Sequence, residues 1–423
     1  MTVLQIASLL IVLAGLFGAV NHLFLRLPTA IGILVVSLVA SIVLLAVDAL
    51  SPELAIGPSI REQVNALDFS DSLLEGMLGL LLFAGALHVK LHDLRENWRI
   101  VLLMATLGVA LSTLVIGYGF SWITGAPLLI ALVFGAVVTP TDPVAVLGVL
   151  KDAGLRRSLE TKIAGESLFN DGVAYVVFLI LVGLAFPGGD AHGGEHASGA
   201  AMLESAAILF VQEALGGAVL GLGLGFLTYR MMRRIDDYSL EVLLTLGLAF
   251  GGYQLAVLLH VSAPIMAVCA GLLIGDATYR LSGVSEHGRQ YLDAFWKLID
   301  EVLNAVLFLM IGVEVFVVAF SADFVIAGVL SIGLALLGRL AAVAIPVYIL
   351  RPFRGFSSGV VPIMTWGGIK GGISIALALS LPANEWQPLI LTATYVVVIF
   401  SILVQGLTVS RVATRYGAEP DLL

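Results

Sequence analysis

Runs of about 20 apolar residues recur along the whole chain, separated by short polar segments, and each run is long enough to cross a bilayer as a helix. Hydrophobic residues make up 59% of the 423 residues and charged residues only 12%, with a mean hydropathy of +1.05. Soluble domains do not reach these values. We therefore expect an all-α polytopic membrane protein, a single integral unit surrounded by lipid, with no separate soluble domain.

The apolar runs predict thirteen transmembrane spans, and the basic residues predict their orientation. Lys and Arg gather on the cytoplasmic side of membrane proteins. One set of alternate connections holds 18 of the 21 basic residues, whereas the other holds only Arg61. This pattern predicts an external N-terminus and a cytoplasmic C-terminus in the cell (inner) membrane. The first span lacks the features of a signal peptide and is expected to be retained. The expected spans are close to residues 3–20, 27–47, 72–88, 100–123, 126–150, 163–186, 204–229, 238–259, 261–276, 299–320, 323–350, 357–380 and 386–410.

The remaining two basic residues, Arg339 and Lys370, have apolar runs on both sides. They could extend to a membrane interface along their aliphatic stems. A basic residue inside a span is more often paired with an acid, so both residues indicate buried carboxylates nearby.

Span 163–186 carries such carboxylates. Glu166 stands one helical turn from Asn170, and Ser167 one turn from Asp171, so two polar ridges share one side of the helix. An ionisable residue inside a membrane marks an ion or proton pathway by default.

Two spans carry helix breakers at membrane depth. Pro140 and Pro143 bracket Thr141 and Asp142 in span 126–150, while four glycines surround Lys370 in span 357–380. These are the fifth and twelfth spans, so the second copy is inverted relative to the first. Inverted repeats whose discontinuous helices cross near the midplane form the sites of secondary transporters. The alternative is that these residues only kink packed helices.

Together, the fifth, sixth, eleventh and twelfth spans would bring three acids near two basic residues. If the basic groups neutralise two acids, the third can stay buried only with a proton or a monovalent cation, so Na⁺ and H⁺ would compete for it. Hard oxygen ligands suit Na⁺ or Li⁺. We expect Asp171 to bind the ion, Arg339 to hold Glu166, and the other polar groups to assist: Asp142, Thr141, Ser167, Asn170 and Thr139. The alternative is a set of buried ion pairs that only fixes helix register.

Two further acids are weaker candidates, and a third is named below. Asp300 and Glu301, next to Trp296, open the tenth span and are either a mouth for cations or a charged helix start.

Several other classes of function are disfavoured. The single cysteine, Cys269, excludes an internal disulfide and a cysteine metal cluster. The net charge of −9 leaves no basic face for nucleic acid. All seven histidines fall in loops or at span ends, so Ser167 has no general base. We expect neither an enzyme nor a cofactor. A paired-aspartate protease using Asp142 and Asp171 is the alternative from another class, but two embedded basic residues would keep both acids ionised.

Four motifs carry a resemblance to a known family. The runs GESLFNDG (165–172), TPTDP (139–143), LFLMIG (307–312) and WGGIKGG (366–372) resemble those of the NhaP-type sodium/proton antiporters. These form the bacterial branch of the cation:proton antiporters that includes animal sodium/proton exchangers. The resemblance covers nearly the whole chain.

The resemblance implies thirteen helices, a homodimer, and a core domain that moves to alternate access. The core would take spans within 72–186 and 299–380, and the dimerisation scaffold the others, including 3–47 and 204–276. By the same resemblance, Asp171 is the carboxylate that binds Na⁺ and H⁺, while Ser167, Thr141 and Asp142 frame the ion. Glu166 and Arg339 would form a structural ion pair, and Glu75 on the third span is the third of the weaker candidates. The Asn-Asp motif is associated with electroneutral one-for-one exchange, and the implied role is pH homeostasis.

Lys370 departs from the family pattern, which has arginine there. Either Lys370 is a fixed charge that offsets Asp142 and the facing helix dipoles, or it titrates, as buried lysine can and arginine cannot. The first is favoured, because a nearby Asp142 would hold the ammonium charged. A potassium/proton antiporter or an organic-anion carrier on the same scaffold remains an alternative, because the number of oxygen ligands decides the ion and the sequence does not show it.

Overall fold

The computed structural model describes residues 3–51, 74–89, 91–142, 157–186, 199–280, 286–316, 318, 321–352, 356 and 359–416. Within these ranges every regular element is helical. The helices are α1 (Val3–Val20), α2 (Thr29–Leu50), α3 (Leu74–Leu87), α4 (Leu91–Leu103), α5 (Val109–Thr124), α6 (Leu128–Val138), α7 (Arg157–Ala185), α8 (Gly199–Met232), α9 (Tyr238–Leu258), α10 (Ala263–Arg280), α11 (Glu286–Val313), α12 (Ala322–Leu350), α13 (Val360–Trp366), α14 (Gly372–Leu379), α15 (Gln387–Phe400) and α16 (Gly406–Tyr416).

The all-helical membrane architecture is confirmed. In the described part of the chain, eight helices are long and apolar enough to span a membrane, and three shorter apolar helices accompany them. Short π-helical turns join α4 to α5 and α15 to α16, so each pair forms one continuous rod. The predicted total of thirteen spans stays a prediction.

Two expected spans are interrupted where their sequences carry breakers. Helix α6 ends at Val138, and residues 139–142 are not helical. Helix α13 ends at Trp366 and α14 begins at Gly372, with residues 367–371 between them. Residues 143–150, the second part of the fifth span, lie outside the described residues.

Helix α11 begins earlier than the sequence predicts. It starts at Glu286 rather than near residue 299, and Trp296 lies fully buried within it. The Trp296 ring packs against Phe83, with the centroids 4.7 Å apart, and its Nε1–H donates to Thr245 Oγ1 at 3.0 Å. The expectation that Asp300 and Glu301 form a charged helix start is wrong, because the helix begins at Glu286, whereas the cation mouth stays a prediction.

Helix α14 lies at the centre of the molecule. It contacts α3, α6, α7, α11 and α15, so the end of one interrupted span meets the helix that carries Glu166 and Asp171. An apolar cluster lies on one side of α14. It includes residues of α5, α6, α12, α14 and α15. The two non-helical segments thus lie next to this apolar cluster.

Candidate functional site

The two non-helical segments, 139–142 and 367–371, meet and are joined by a backbone hydrogen bond. Asp142 N–H donates to Ile369 C=O at 2.7 Å. Close approach depends on glycine, because a Cβ on Gly371 would lie 2.6 Å from the Cβ of Asp142 and 2.7 Å from its Oδ2. The WGGIKGG motif therefore provides the space in which the segment of Asp142 lies.

Helix ends account for the charges at this crossing. Asp142 lies against the first residues of α14, where unpaired backbone N–H groups give the helix a partial positive charge. Lys370 Nζ donates to Thr139 C=O at 2.8 Å, at the end of α6 where carbonyls give a partial negative charge. Each charged side chain thus complements the helix end of the opposite segment. The choice between Lys370 as a fixed charge and Lys370 as a titrating group stays a prediction.

The segment around Lys370 is held by a polar network that the sequence analysis missed. Lys370 N–H donates to Ser401 Oγ at 2.8 Å, Ser401 Oγ donates to Gln405 Oε1 at 2.6 Å, and Gln405 Nε2 donates to Trp366 C=O at 2.9 Å. Ser401 and Gln405 stand one turn apart in the last apolar span. Two polar residues one turn apart in an apolar span were the sequence signal for this network.

Glu166 and Arg339 form a buried ion pair. The guanidinium donates both Nη1 and Nη2 to the two carboxylate oxygens of Glu166, the second at 2.8 Å, and its Nε–H donates to Met364 C=O at 3.1 Å. The side chains of Glu166 and Arg339 are 1% and 5% exposed. A Cβ on Gly368 would lie 2.2 Å from Arg339 Nε, so glycine is also needed here. The pair connects α7 to α12 and to the end of α13.

Asp171 lies on the adjacent ridge of α7 and is 4% exposed. Its Oδ1 accepts from Thr141 N–H at 3.3 Å. In the described part of the chain, no lysine or arginine forms an ion pair with this carboxylate. Its charge is therefore left without a permanent partner there.

Oxygen atoms surround this carboxylate. Thr141 Oγ1 shares a hydrogen bond with Ser167 Oγ at 3.0 Å and accepts from Asn170 Nδ2 at 3.3 Å. Asn170 Oδ1 is buried and has no hydrogen-bond partner among the described residues. Carboxylate, hydroxyl and amide oxygens of this kind suit a hard monovalent cation.

A cavity of about 60 Å³ opens onto these groups. Its wall includes Asp171, Asp142 and Thr141 on one side, and Asp300 and Asn304 of α11 on the other. Asn304 Nδ2 donates to Asp300 Oδ1 at 3.0 Å, which fixes the second carboxylate at the wall. We refer to this space as the main cavity.

The remaining sequence candidates lie apart from these groups or outside the described side chains. Glu301 is exposed, and its carboxylate lies 4.0 Å from Lys297 Nζ at the surface. Thr139 is buried and acts through its backbone carbonyl, while its hydroxyl donates to Gly135 C=O at 2.8 Å. Glu75 belongs to α3, but its side chain lies outside the described part of the chain.

The chain is similar to known proteins in both sequence and fold. The profile of the family described as sodium/hydrogen exchanger, transmembrane, matches residues 6–415. The Na⁺/H⁺ antiporter NhaP of Pseudomonas aeruginosa is 45% identical over 430 residues, which cover 99% of this chain and 98% of that protein. The Na⁺/H⁺ antiporter NhaH of Halobacillus aidingensis is 35% identical over 353 residues, covering 82% of this chain and 84% of that protein.

A solved structure has the same fold. The sodium proton antiporter MjNhaP1 from Methanocaldococcus jannaschii, determined at pH 8, matches with a TM-score of 0.76 over 98% of this chain and 99% of that chain. The sequence identity is 19%, so this likeness concerns the fold alone.

Proposed function

Because the chain belongs to the transmembrane sodium/hydrogen exchanger family, as its motifs predicted, we propose that it exchanges Na⁺ for H⁺ across the cell membrane. The family consists of transporters, not enzymes. Its relatives NhaP and NhaH are named as Na⁺/H⁺ antiporters, and the first is similar over nearly its whole length.

The balance of buried charges is the observation that carries this proposal. Arg339 is paired with Glu166, and Lys370 Nζ donates to Thr139 C=O at the end of α6. Asp171 remains, buried beside the main cavity with one described backbone donor. An unpaired buried carboxylate is too costly to keep, so it holds either a proton or a cation.

Competition for Asp171 is the proposed mechanism. Na⁺ or Li⁺ binds to Asp171 with help from Thr141, Ser167, Asn170 and Asp142, and displaces the proton. The carboxylate of Asp171 binds one positive ion at a time, either Na⁺ or H⁺. The exchange is therefore electroneutral, one ion for one proton. Lys370 and the Glu166–Arg339 pair keep their charges throughout.

Alternating access comes from movement between the two parts of the chain that the family resemblance implies. The core, from spans within 72–186 and 299–380, moves against a scaffold that includes 3–47 and 204–276 and forms a homodimer. Its crossed, discontinuous fifth and twelfth spans carry the ion. The N-terminus is external and the C-terminus cytoplasmic, and the biological role is pH homeostasis.

Transport by purified protein in sealed vesicles tests this function. We expect Na⁺ and Li⁺ gradients to drive proton flux, and the rate not to change when a membrane potential is imposed with valinomycin and K⁺. Asp171→Asn keeps the side-chain volume and removes the titrating group, so it should abolish the flux while the protein stays folded. Glu301→Gln, which changes an exposed carboxylate, is the matched control.

Other outcomes select among the alternatives. Flux driven by K⁺ but not by Na⁺ would identify a potassium/proton antiporter. A rate that follows the membrane potential would contradict electroneutral exchange. Normal transport by Asp171→Asn would remove Asp171 from the mechanism.

A further inference from the structure

A second cavity lies next to the main cavity and shares the wall residues Leu307 and Gly372 with it. It is small, with room for about one water molecule, and it is lined by residues of α11, α14 and the short 3₁₀ turn Glu314–Phe316 that follows α11. Among the described residues of its wall, Glu314 is the only ionisable one, and it is 2% exposed. We call this space the distal cavity.

The carboxylate of Glu314 has no described partner. Among residues that the structure describes, it forms neither a hydrogen bond nor an ion pair through its side chain. The nearby Tyr395 lies within electrostatic range of Glu314, and its buried hydroxyl likewise lacks a hydrogen-bond partner in the described part of the chain. Burial of a carboxylate under these conditions is tolerated when it holds a proton or a cation. The distal cavity therefore has the same chemical requirement as Asp171.

One face of α11, continued by the 3₁₀ turn that follows it, links the two cavities. Asp300, Asn304, Leu307, Ile311 and Glu314 follow one another at intervals of four, three, four and three residues, so they lie along one side of the helix. Asp300 and Asn304 line the main cavity, and Ile311 and Glu314 line the distal cavity. At about 1.5 Å per residue, the Cα atoms of Asp300 and Glu314 are about 21 Å apart along the axis.

Leu307 separates the two spaces. Leu307 and Gly372 belong to the walls of both cavities. They are in tight contact, since a Cβ on Gly372 would lie 2.4 Å from Leu307 Cδ1. A leucine side chain against a glycine can open by a change of rotamer, without breaking a backbone hydrogen bond.

We propose that Glu314 is a second binding carboxylate for the transported cation and proton, reached from Asp171 when the contact between Leu307 and Gly372 opens. On the orientation predicted from the basic residues, α11 runs outward from the cytoplasm, so the distal cavity lies on the external half of the route. This proposal rests on exchange at Asp171 and adds a station to it. A monovalent cation leaves Asp171 for Glu314, and the proton follows the reverse path.

Carbodiimide labelling followed by mass spectrometry tests whether Glu314 binds the cation. Purified protein is treated in Na⁺ and, at equal ionic strength, in choline. Na⁺ is used at ten times the concentration that halves the labelling rate of Glu314. At that concentration we expect the labelling of Glu314 to slow about tenfold. Glu213, half-buried on α8, serves as the internal control and should label equally in both salts.

The same labelling in Asp171→Asn separates this proposal from the proposed function. Protection of Glu314 by Na⁺ should persist in that variant, because Glu314 itself binds the cation. Loss of protection there would mean that Glu314 only senses the occupancy of Asp171, which would overturn the proposal. Equal labelling in Na⁺ and choline would overturn it as well. Failure of the wild-type protein to exchange ions would refute the proposed function alone.

Transport from each membrane face provides a second readout. Glu314→Gln should raise the half-saturating Na⁺ concentration on the external face by about tenfold, the effect of losing one charge-assisted contact. The value on the cytoplasmic face should stay within about twofold of the wild type, since the main cavity is unchanged. Unchanged values on both faces would contradict the proposal.

Discussion

Replacement of Glu166 by glutamine tests whether the Glu166–Arg339 pair holds the core together. The variant keeps the side-chain volume but leaves the Arg339 charge buried without its carboxylate. Removing one partner of a buried ion pair costs about 3–5 kcal/mol. Arg339 keeps its hydrogen bond to Met364 C=O at 3.1 Å, and glutamine keeps one acceptor oxygen. We therefore expect a loss at the lower end, about 3 kcal/mol.

Thermal unfolding in detergent measures this loss. At about 2 °C per kcal/mol, Glu166→Gln should unfold about 6 °C below the wild type. Glu301→Gln is the matched control, because its carboxylate is 66% exposed and 4.0 Å from Lys297 Nζ. Such surface pairs contribute at most about 1 kcal/mol, so the control should unfold near the wild-type temperature.

A double variant distinguishes loss of the pair from a general defect. Glu166→Gln combined with Arg339→Met removes both charges, and part of the stability should return because no ion remains unpaired. If Glu166→Gln unfolds at the same temperature as Glu301→Gln, the pair does not support the core and the reasoning is refuted.

Two further predictions concern the crossing of the non-helical segments. Lys370→Arg should retain exchange with the same pH optimum, because a fixed positive charge is still present near Thr139 C=O; a shifted optimum in vesicle transport would show that Lys370 titrates. Gly371→Ala should abolish exchange, because its Cβ would lie 2.6 Å from that of Asp142; wild-type transport rates by this variant would contradict the close approach of the two segments.

The ion pair and the interrupted spans were predictable because membrane burial makes charge and backbone breaks expensive. Two basic residues inside apolar runs required acids nearby, and Glu166 was the acid at the right depth. The arginine–glutamate contact in the structure agrees with that expectation. Prolines in one span and glycines in the other similarly indicated where the helices end.

Other features depend on tertiary contacts that no local pattern reveals. Lys370 points to the carbonyl end of α6, a partner that exists only once the two segments cross. Asp300 and Glu301 are neighbours in the sequence, but helical rotation places Asp300 in the wall of the main cavity and Glu301 at the surface. Glu314 was overlooked because it follows a continuous apolar run, and its isolation from described partners becomes visible only in the packed structure.

Proton release on Na⁺ binding is the most direct test of the central role of Asp171. Na⁺ is added to purified protein in weakly buffered detergent solution, and released protons are followed with a pH-sensitive dye. The wild-type protein should release protons as Na⁺ binds, and choline should release none. Asp171→Asn should release clearly fewer protons than the wild type, because the main group that exchanges a proton for the cation is gone, and adding Glu314→Gln should remove the remaining release. Release from Asp171→Asn equal to that of the wild type would contradict the account.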